Sequence, residues 1–257
     1  MIISPEHKYV FVENPRTACT AIANELRQFY GGEGVLFKHA TYQHFVEWAG
    51  REEAGRYFIF AGIRSPMDDV VTEYFKLKSN HRGEMTDPSA HRKQGGWVTE
   101  QRVRQYAFIQ RNDADFASYF RTYYHRPYVN RSVLARRQSD FVIRFEDLQA
   151  DFSRLLQRLD LQQVRPLPVI NPTAKPARDH LALYDLSIRP QAFRVFGPVM
   201  KYLGYTFPDE WDTPDVTPAQ WAQFYAVYAA KMLYWRFGAF RKERVNPKTY
   251  DSVALQQ

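Results

Sequence analysis

The stretch from Lys8 to Leu26, KYVFVENPRTACTAIANEL, decides the fold. Lys8 to Asn14 read as a strand, Pro15 to Ala21 as a tight loop of small and hydroxyl residues, and Ile22 to Leu26 as the start of a helical pattern. A strand-loop-helix junction points several backbone N–H groups, and the positive end of the helix dipole, at one spot. That makes an anion site, and phosphate is the anion it suits. Arg16 adds a fixed charge with a planar donor fork, while Thr17 and Thr20 add hydroxyls that can reach phosphate oxygens. The Gly-Lys-Ser/Thr ending of a Walker A loop is missing, so the loop points to a nucleotide without pointing to ATP.

Further along, Val35-Leu36-Phe37 reads as a short second strand ending at Lys38-His39, followed by a helix from Thr41 to Trp48. Tyr57 to Ile63 is a continuous apolar run of the kind expected for a strand buried on both faces. It ends at Arg64-Ser65, and a helix begins near Pro66. Ser79 to Gly96 is polar and reads as a mobile loop beside the site. Helical patterns span Thr99–Gln110 and Ala114–Tyr124, Asp140–Arg144 is another strand, and a helix runs from Glu146 to Leu159, its first turn capped by Glu146 and Asp147. The Pro-rich segment 165–176 is a connection, and helices cover Arg189–Leu203 and Pro218–Phe237.

Alternating strands and helices predict an α/β fold, a central parallel sheet flanked by helices, with a helical C-terminal third. Ligands of such sheets sit beyond the carboxyl ends of the strands. Arg16, Lys38-His39, Arg64-Ser65 and Arg144 are therefore expected to converge.

The 257 residues fit one domain, with a nucleotide-binding core over about 7–160 and a helical covering region over about 161–257. No apolar run reaches the roughly 18–20 residues of a membrane span and no secretion signal precedes the first strand, which predicts a soluble, cytoplasmic protein with peripheral membrane association left open. The one cysteine, Cys19, excludes an internal disulfide framework and disfavours a cysteine-rich zinc site. The net charge of +7 implies anionic ligands, without choosing among nucleotide, nucleic acid, acidic glycan and lipid. The clusters Arg136-Arg137 and Arg241–Arg244 read as solvated surface.

Three blocks together resemble the sulfotransferases that use 3′-phosphoadenosine 5′-phosphosulfate (PAPS). Pro15-Arg16-Thr17-Ala18-Cys19-Thr20 is similar to their 5′-phosphosulfate loop, with an Ala-Cys-Thr core like that of the carbohydrate 4-O-sulfotransferases. FAGIRSPMDDVVTEYF, Phe60 to Phe75, resembles their 3′-phosphate strand-helix motif, and Phe141–Leu148 resembles their third recurring element. The resemblance implies a P-loop-like three-layer fold and transfer of a sulfuryl group to a hydroxyl, leaving adenosine 3′,5′-bisphosphate (PAP). It places Arg16, Thr17, Ala18, Cys19, Thr20 and Ala21 around the 5′-phosphosulfate, and Arg64 and Thr72 on the 3′-phosphate. Cys19 is then a packing residue. No metal is implied, since arginines and loop amides supply the compensating charge.

Two positions depart from the family pattern. Arg16 stands where a lysine is usual, so charge is kept while proton donation is lost. Asp69 stands where the family has an arginine beside Asp68, which is expected to weaken an auxiliary ion pair. His39 is the candidate base, placed at a strand end with a titration range suited to proton transfer. His44 competes with it, ahead of His81, His91, His125 and His180. Lys38 would assist at the sulfate, and Lys175 or Arg178, in a loop over 171–178, would touch the nucleotide.

The acceptor implied is a hydroxyl-bearing glycan or glycolipid, with no specific nucleic acid partner. The aromatic cluster of Phe116, Tyr119, Phe120, Tyr123, Tyr124 and Tyr128 serves either to stack on it or to fill a core. Two other functions stand beside this one: a non-catalytic nucleotide or polyanion binder, and a P-loop kinase.

Overall fold

The structure, a computed structural model, describes residues 1–170 and 180–235. The chain is α/β. In order it forms β1 (Ile2–Ser4), β2 (Tyr9–Val12), α1 (Cys19–Phe29), β3 (Glu33–Gly34), α2 (Tyr42–Ala49), α3 (Arg51–Ala54), β4 (Phe58–Ile63), α4 (Pro66–Lys78), α5 (Glu100–Asn112), α6 (Phe116–Tyr123), α7 (Arg131–Gln138), β5 (Phe141–Arg144), α8 (Leu148–Arg158), α9 (Arg189–Leu203) and α10 (Pro218–Leu233). The described residues group into two compact units. One comprises 1–65, 129–170 and 225–235, and the other 66–128 and 180–224.

The first unit holds the only sheet found among the described residues, in strand order β3-β1-β2-β4-β5. Its central strands follow the sequence expectation. β2 lies parallel to β4, Tyr9 beside Phe58, and β4 lies parallel to β5, Ile63 beside Arg144. The sheet as a whole is mixed and departs from the expected parallel one, because β1 runs antiparallel to β2, Ile2 opposite Phe11, and β3 antiparallel to β1. Only residues 5–8 separate β1 from β2, and so short a link can join only antiparallel neighbours.

One sheet face packs Tyr9, Phe11 and Phe60 against Ile22 and Leu26 of α1 and Phe152, Leu155 and Leu156 of α8. On the opposite parity Val10, Ile59, Ala61 and Ile63 are also buried, and α7 packs on β4 and β5. Burial on both parities explains the unbroken apolar run that marked β4 in the sequence.

Val35-Leu36-Phe37 is not a strand. The ladder on β1 ends at Gly34, after which Leu36 (φ 65°) and His39 (φ 67°) turn the chain through left-handed conformations. The amide of Val35 donates to the Met1 carbonyl (3.1 Å), and the Phe37 carbonyl accepts from the Met1 ammonium (3.0 Å). Glu146 and Asp147 also differ from expectation. Glu146 Oε1 accepts from the Ser65 amide (2.7 Å) and so holds the turn after β4, while Asp147 stands at the α8 N-cap without a side-chain capping bond. The carboxylate near that helix start with a backbone partner is Asp151, which accepts from the Arg144 amide (2.7 Å).

The second unit is helical. Residues 79–96, expected as a mobile loop, fold into three short 3-10 turns closed by a bridge between His91 and Val98. Tyr74, Phe116, Tyr119, Phe120, Tyr184 and Phe196 form its aromatic core. α9 spans the residues expected of it, and α10 ends at Leu233 within the described residues. The 171–178 loop with Lys175 and Arg178, the half of the 165–176 connection beyond Ile170, and the 241–244 cluster lie outside the described residues. Among the described residues no helix is long and apolar enough to cross a membrane.

The junction between β2 and α1 is set by Gly62, next to the last residue of β4. Asn14 Nδ2 donates to the Gly62 carbonyl (2.9 Å), and Thr17 Oγ1 donates back to the Asn14 carbonyl (2.9 Å). A Cβ on Gly62 would lie 2.5 Å from Thr17 Oγ1 and 3.1 Å from the Thr17 carbonyl oxygen. Gly62→Ala is therefore expected to lower unfolding free energy by about 1–3 kcal/mol through overpacking. Urea unfolding monitored by circular dichroism measures this, and a variant as stable as the parent would show that the loop is not seated on β4.

Candidate functional site

In the first unit the residues after β2 fold into a loop whose carbonyls are taken up by side chains. Arg16 (φ 65°) and Ala18 (φ 58°, ψ 21°) adopt left-handed conformations that reverse the chain just before α1. The Glu13 carbonyl faces His39 Nδ1 (3.0 Å), and the Arg16 carbonyl accepts from Arg64 Nη1 (3.0 Å). The first turn of α1 has neither a side-chain cap nor an acidic residue, so its amides and the positive end of its dipole are left for an anion. Lys38 Nζ reaches Thr20 Oγ1 (3.2 Å) in that turn.

The structure thus brings Arg16, Thr17, Ala18, Cys19, Thr20, Ala21, Lys38, His39 and Arg64 together at the carboxyl ends of β2 and β4, as the strand-end rule predicts. Arg144 ends β5 beside Ile63. Arg64 is only 6% exposed and stacks on Phe145, with 3.9 Å from guanidinium to ring centroid, so it builds the site as well as charging it. Cys19 is buried and its thiol is pushed up to about 12, first by desolvation and then by the Glu13 carboxylate. Such a thiol packs and does not attack.

His39 has a fixed orientation. A carbonyl only accepts, so Nδ1 carries the proton in its contact with Glu13, and Nε2 keeps its lone pair in the neutral ring. Burial, and then the charges of Arg131 and Lys38, lower its pKa to about 3 against the opposing effect of the Glu13 carbonyl. Arg131, which sequence reading did not single out, donates from Nη1 to the His39 carbonyl (2.7 Å) and clamps the left-handed residue in place. Both line a crevice of roughly 10 Å³, space for about one water, with Tyr42, Gln138 and Ser139. Behind the loop the Glu13 carboxylate is buried in an ion pair with the Met1 ammonium (2.6 Å).

His44 has structural work instead. Its Nδ1 accepts from the Thr41 amide (3.0 Å) at the start of α2, and its ring stands edge-on to Phe37. The remaining candidates belong to the second unit. His91 Nε2 pairs with the Met85 carbonyl, His125 Nε2 with the Thr122 carbonyl, and His180 lies 3.9 Å from Asp68. Asp69 accepts from Tyr128 Oη (2.6 Å), which gives the departing aspartate a partner of its own. Thr72, in α4, is 1% exposed, and its hydroxyl is buried with no hydrogen-bond partner. The aromatic cluster divides: Phe116, Tyr119 and Phe120 are core, while Tyr123, Tyr124 and Tyr128 are half-buried. Among the described residues no group of three or more His, Cys, Asp and Glu side chains is placed to hold a metal ion.

No family model, curated protein or solved structure matches the chain.

The depressed His39 pKa has a pH signature. A histidine titrating lower in the folded than in the unfolded chain contributes stability that is full above about pH 6.5 and is lost as pH falls toward 3. In the unliganded protein the His39 ring proton signals are expected to stay in their neutral positions down to at least about pH 5. His39→Gln, which cannot take up that proton, should gain stability relative to the parent between pH 7 and pH 4. Parallel stability curves, or a titration near 6.5, would contradict the burial and charge argument.

Proposed function

We propose that the chain is a PAPS-dependent sulfotransferase on a P-loop-like α/β core, acting on a hydroxyl acceptor of a glycan or glycolipid. The observation that carries this reading is the pairing of an uncapped α1 start with a neutral His39 whose ring is held by the Glu13 carbonyl of the loop before that helix. Loop amides from Thr17 to Ala21, with Arg16 and Lys38, would take the charge that develops on the leaving phosphate. His39 Nε2 would accept the proton of the attacking hydroxyl as the new oxygen–sulfur bond forms and the sulfur–oxygen bond to the phosphate breaks. PAP and a sulfate ester then leave.

The low pKa of unliganded His39 fits this scheme. A group near 3 is a weak base, and two of the causes are the cations Arg131 and Lys38. An anionic donor beside them offsets their charge and raises the imidazole toward its useful range. Arg64 would meet the 3′-phosphate as the resemblance implies. The orphan hydroxyl of Thr72 is consistent with a ligand that supplies its missing partner, because a buried unsatisfied group costs about 1–3 kcal/mol.

Calorimetric titration with PAP, using 5′-AMP and MgATP as controls, tests the donor site, and sulfate transfer from PAPS to a panel of glycans tests the reaction. Binding that requires the 3′-phosphate is expected. His39→Ala should keep PAP affinity while slowing transfer on the order of 10²–10⁴-fold, the usual contribution of a general base. Arg16→Ala should weaken PAP roughly 10–100-fold, the worth of a charge-assisted hydrogen bond. Binding of MgATP in preference to PAP would turn the reading to a kinase. Heparin binding with steep salt dependence and no PAP binding would turn it to a polyanion binder.

A further inference from the structure

The second unit contains a cavity of about 430 Å³ that the donor reading does not use. Its volume is in the range of small-molecule sites. One wall is α9, where Gln191, Arg194 and Val195 fall on one face by their i, i+3, i+4 spacing. Another is the first turns of α10, with Gln220 and Gln223, and the 124–128 segment adds His125 and Pro127.

Internal hydrogen bonds fix what this lining offers. Gln191 spends its Nε2 on the carbonyls of Tyr124 (2.6 Å) and Phe120 (3.4 Å), which leaves Oε1 as an acceptor. Gln220 is turned the other way. Its Oε1 accepts from the Thr217 amide (2.8 Å) and hydroxyl (3.1 Å) in a capping box, which leaves Nε2 as a double donor. His125 donates from Nε2 to the Thr122 carbonyl (2.9 Å), leaving Nδ1. Arg194 is the one formally charged side chain of the lining, is exposed, and has no hydrogen-bond or ion-pair partner among the described residues.

A ligand that satisfies this set needs several hydroxyls that both donate and accept, one negative charge, and a C–H surface for Val195 and Pro127. A bare oxyanion is too small and would meet a single exposed cation, a weak attraction in water. A nucleic acid strand would want several cations and aromatic faces, and the lining offers one arginine and no Phe, Tyr or Trp ring. We infer that the cavity on α9 and α10 is a binding site for an acidic saccharide unit, its carboxylate on Arg194 and its hydroxyls on the oriented amides of Gln191 and Gln220. The site belongs to the second unit and stands or falls independently of PAP binding.

The test is titration of the full chain with trigalacturonate, followed by ¹H–¹⁵N spectra of the glutamine side-chain amides. Maltotriose serves as the neutral control and acetate as the charge-only control. Trigalacturonate is expected to shift the amides of Gln191, Gln220 and Gln223, and Arg194→Ala should weaken it about tenfold or more, as for loss of one charge-assisted bond. Arg194 and Gln223 make no internal bond, so their alanine variants should fold, and Gln223→Ala serves as a second check on location. Equal binding of maltotriose would overturn the role of charge, and equal shifts with acetate would reduce the site to a simple anion contact. Failure to bind at millimolar concentration, or affinity unchanged in both variants, would overturn the site itself.

Discussion

The close approach of the β2–α1 loop to Gly62 is the constraint on which the first unit depends. A side chain at that position in β4 would collide with Thr17, so the missing Cβ is what lets the loop lie on the strand. Asn14 then spans from loop to strand, Thr17 ties the loop to itself, and the chain must reverse sharply to enter α1. The left-handed conformations of Arg16 and Ala18 follow from that reversal. Non-glycine residues adopt them at some cost, and the surrounding bonds overdetermine them. Because β2 and β4 are parallel, the end of one strand delivers the loop and the end of the other delivers Arg64 to the same place.

A second consequence is a sorting of backbone polarity. The carbonyls of Glu13, Arg16 and His39 are occupied, in turn, by the His39 imidazole, the Arg64 guanidinium and the Arg131 guanidinium. Each of these contacts spends a carbonyl and leaves amide donors at the start of α1. Side chains that look like anion-binding groups in the sequence are therefore also the scaffold of the loop. This is why removing Arg64, whose guanidinium holds the Arg16 carbonyl, is a poor probe of binding alone.

Much of this was legible in the sequence, because it rests on local pattern. The apolar run of β4, the strand-loop-helix of residues 8–26 and the proline-started α4 are each dictated by contiguous residues. The features that were not legible depend on distant partners. β1 is only three residues long and gains its pairing from β2 and β3. Val35–Phe37 has strand composition, yet the N-terminal ammonium and the turns at Leu36 and His39 take its backbone elsewhere. α7 buries Ser132, Val133, Leu134 and Ala135 in succession, so it shows no helical stripe, and Arg131 went unnoticed with it. The bond from the Ser65 amide to Glu146 crosses 81 positions of sequence. Likewise, the aromatic cluster of the second unit could be assigned to core or surface only once α6 and α9 were seen to share it.

The cations gathered around the loop are the electrostatic basis of the proposed anionic donor. Bringing Arg16, Lys38, Arg64 and Arg131 to one end of a sheet is unfavourable unless each has an oxygen to face. The loop carbonyls and the Thr20 hydroxyl supply such oxygens, and the downward shift of His39 comes first from burial, with Arg131 and Lys38 adding to it. A protonated imidazole would add one more charge to the same space, so the ring stays neutral and its Nε2 stays basic in form although weak in strength. Under the proposed function an anionic donor beside Lys38 and Arg131 would offset their charge and raise the imidazole, so that donor binding and proton transfer would be coupled through those two neighbours.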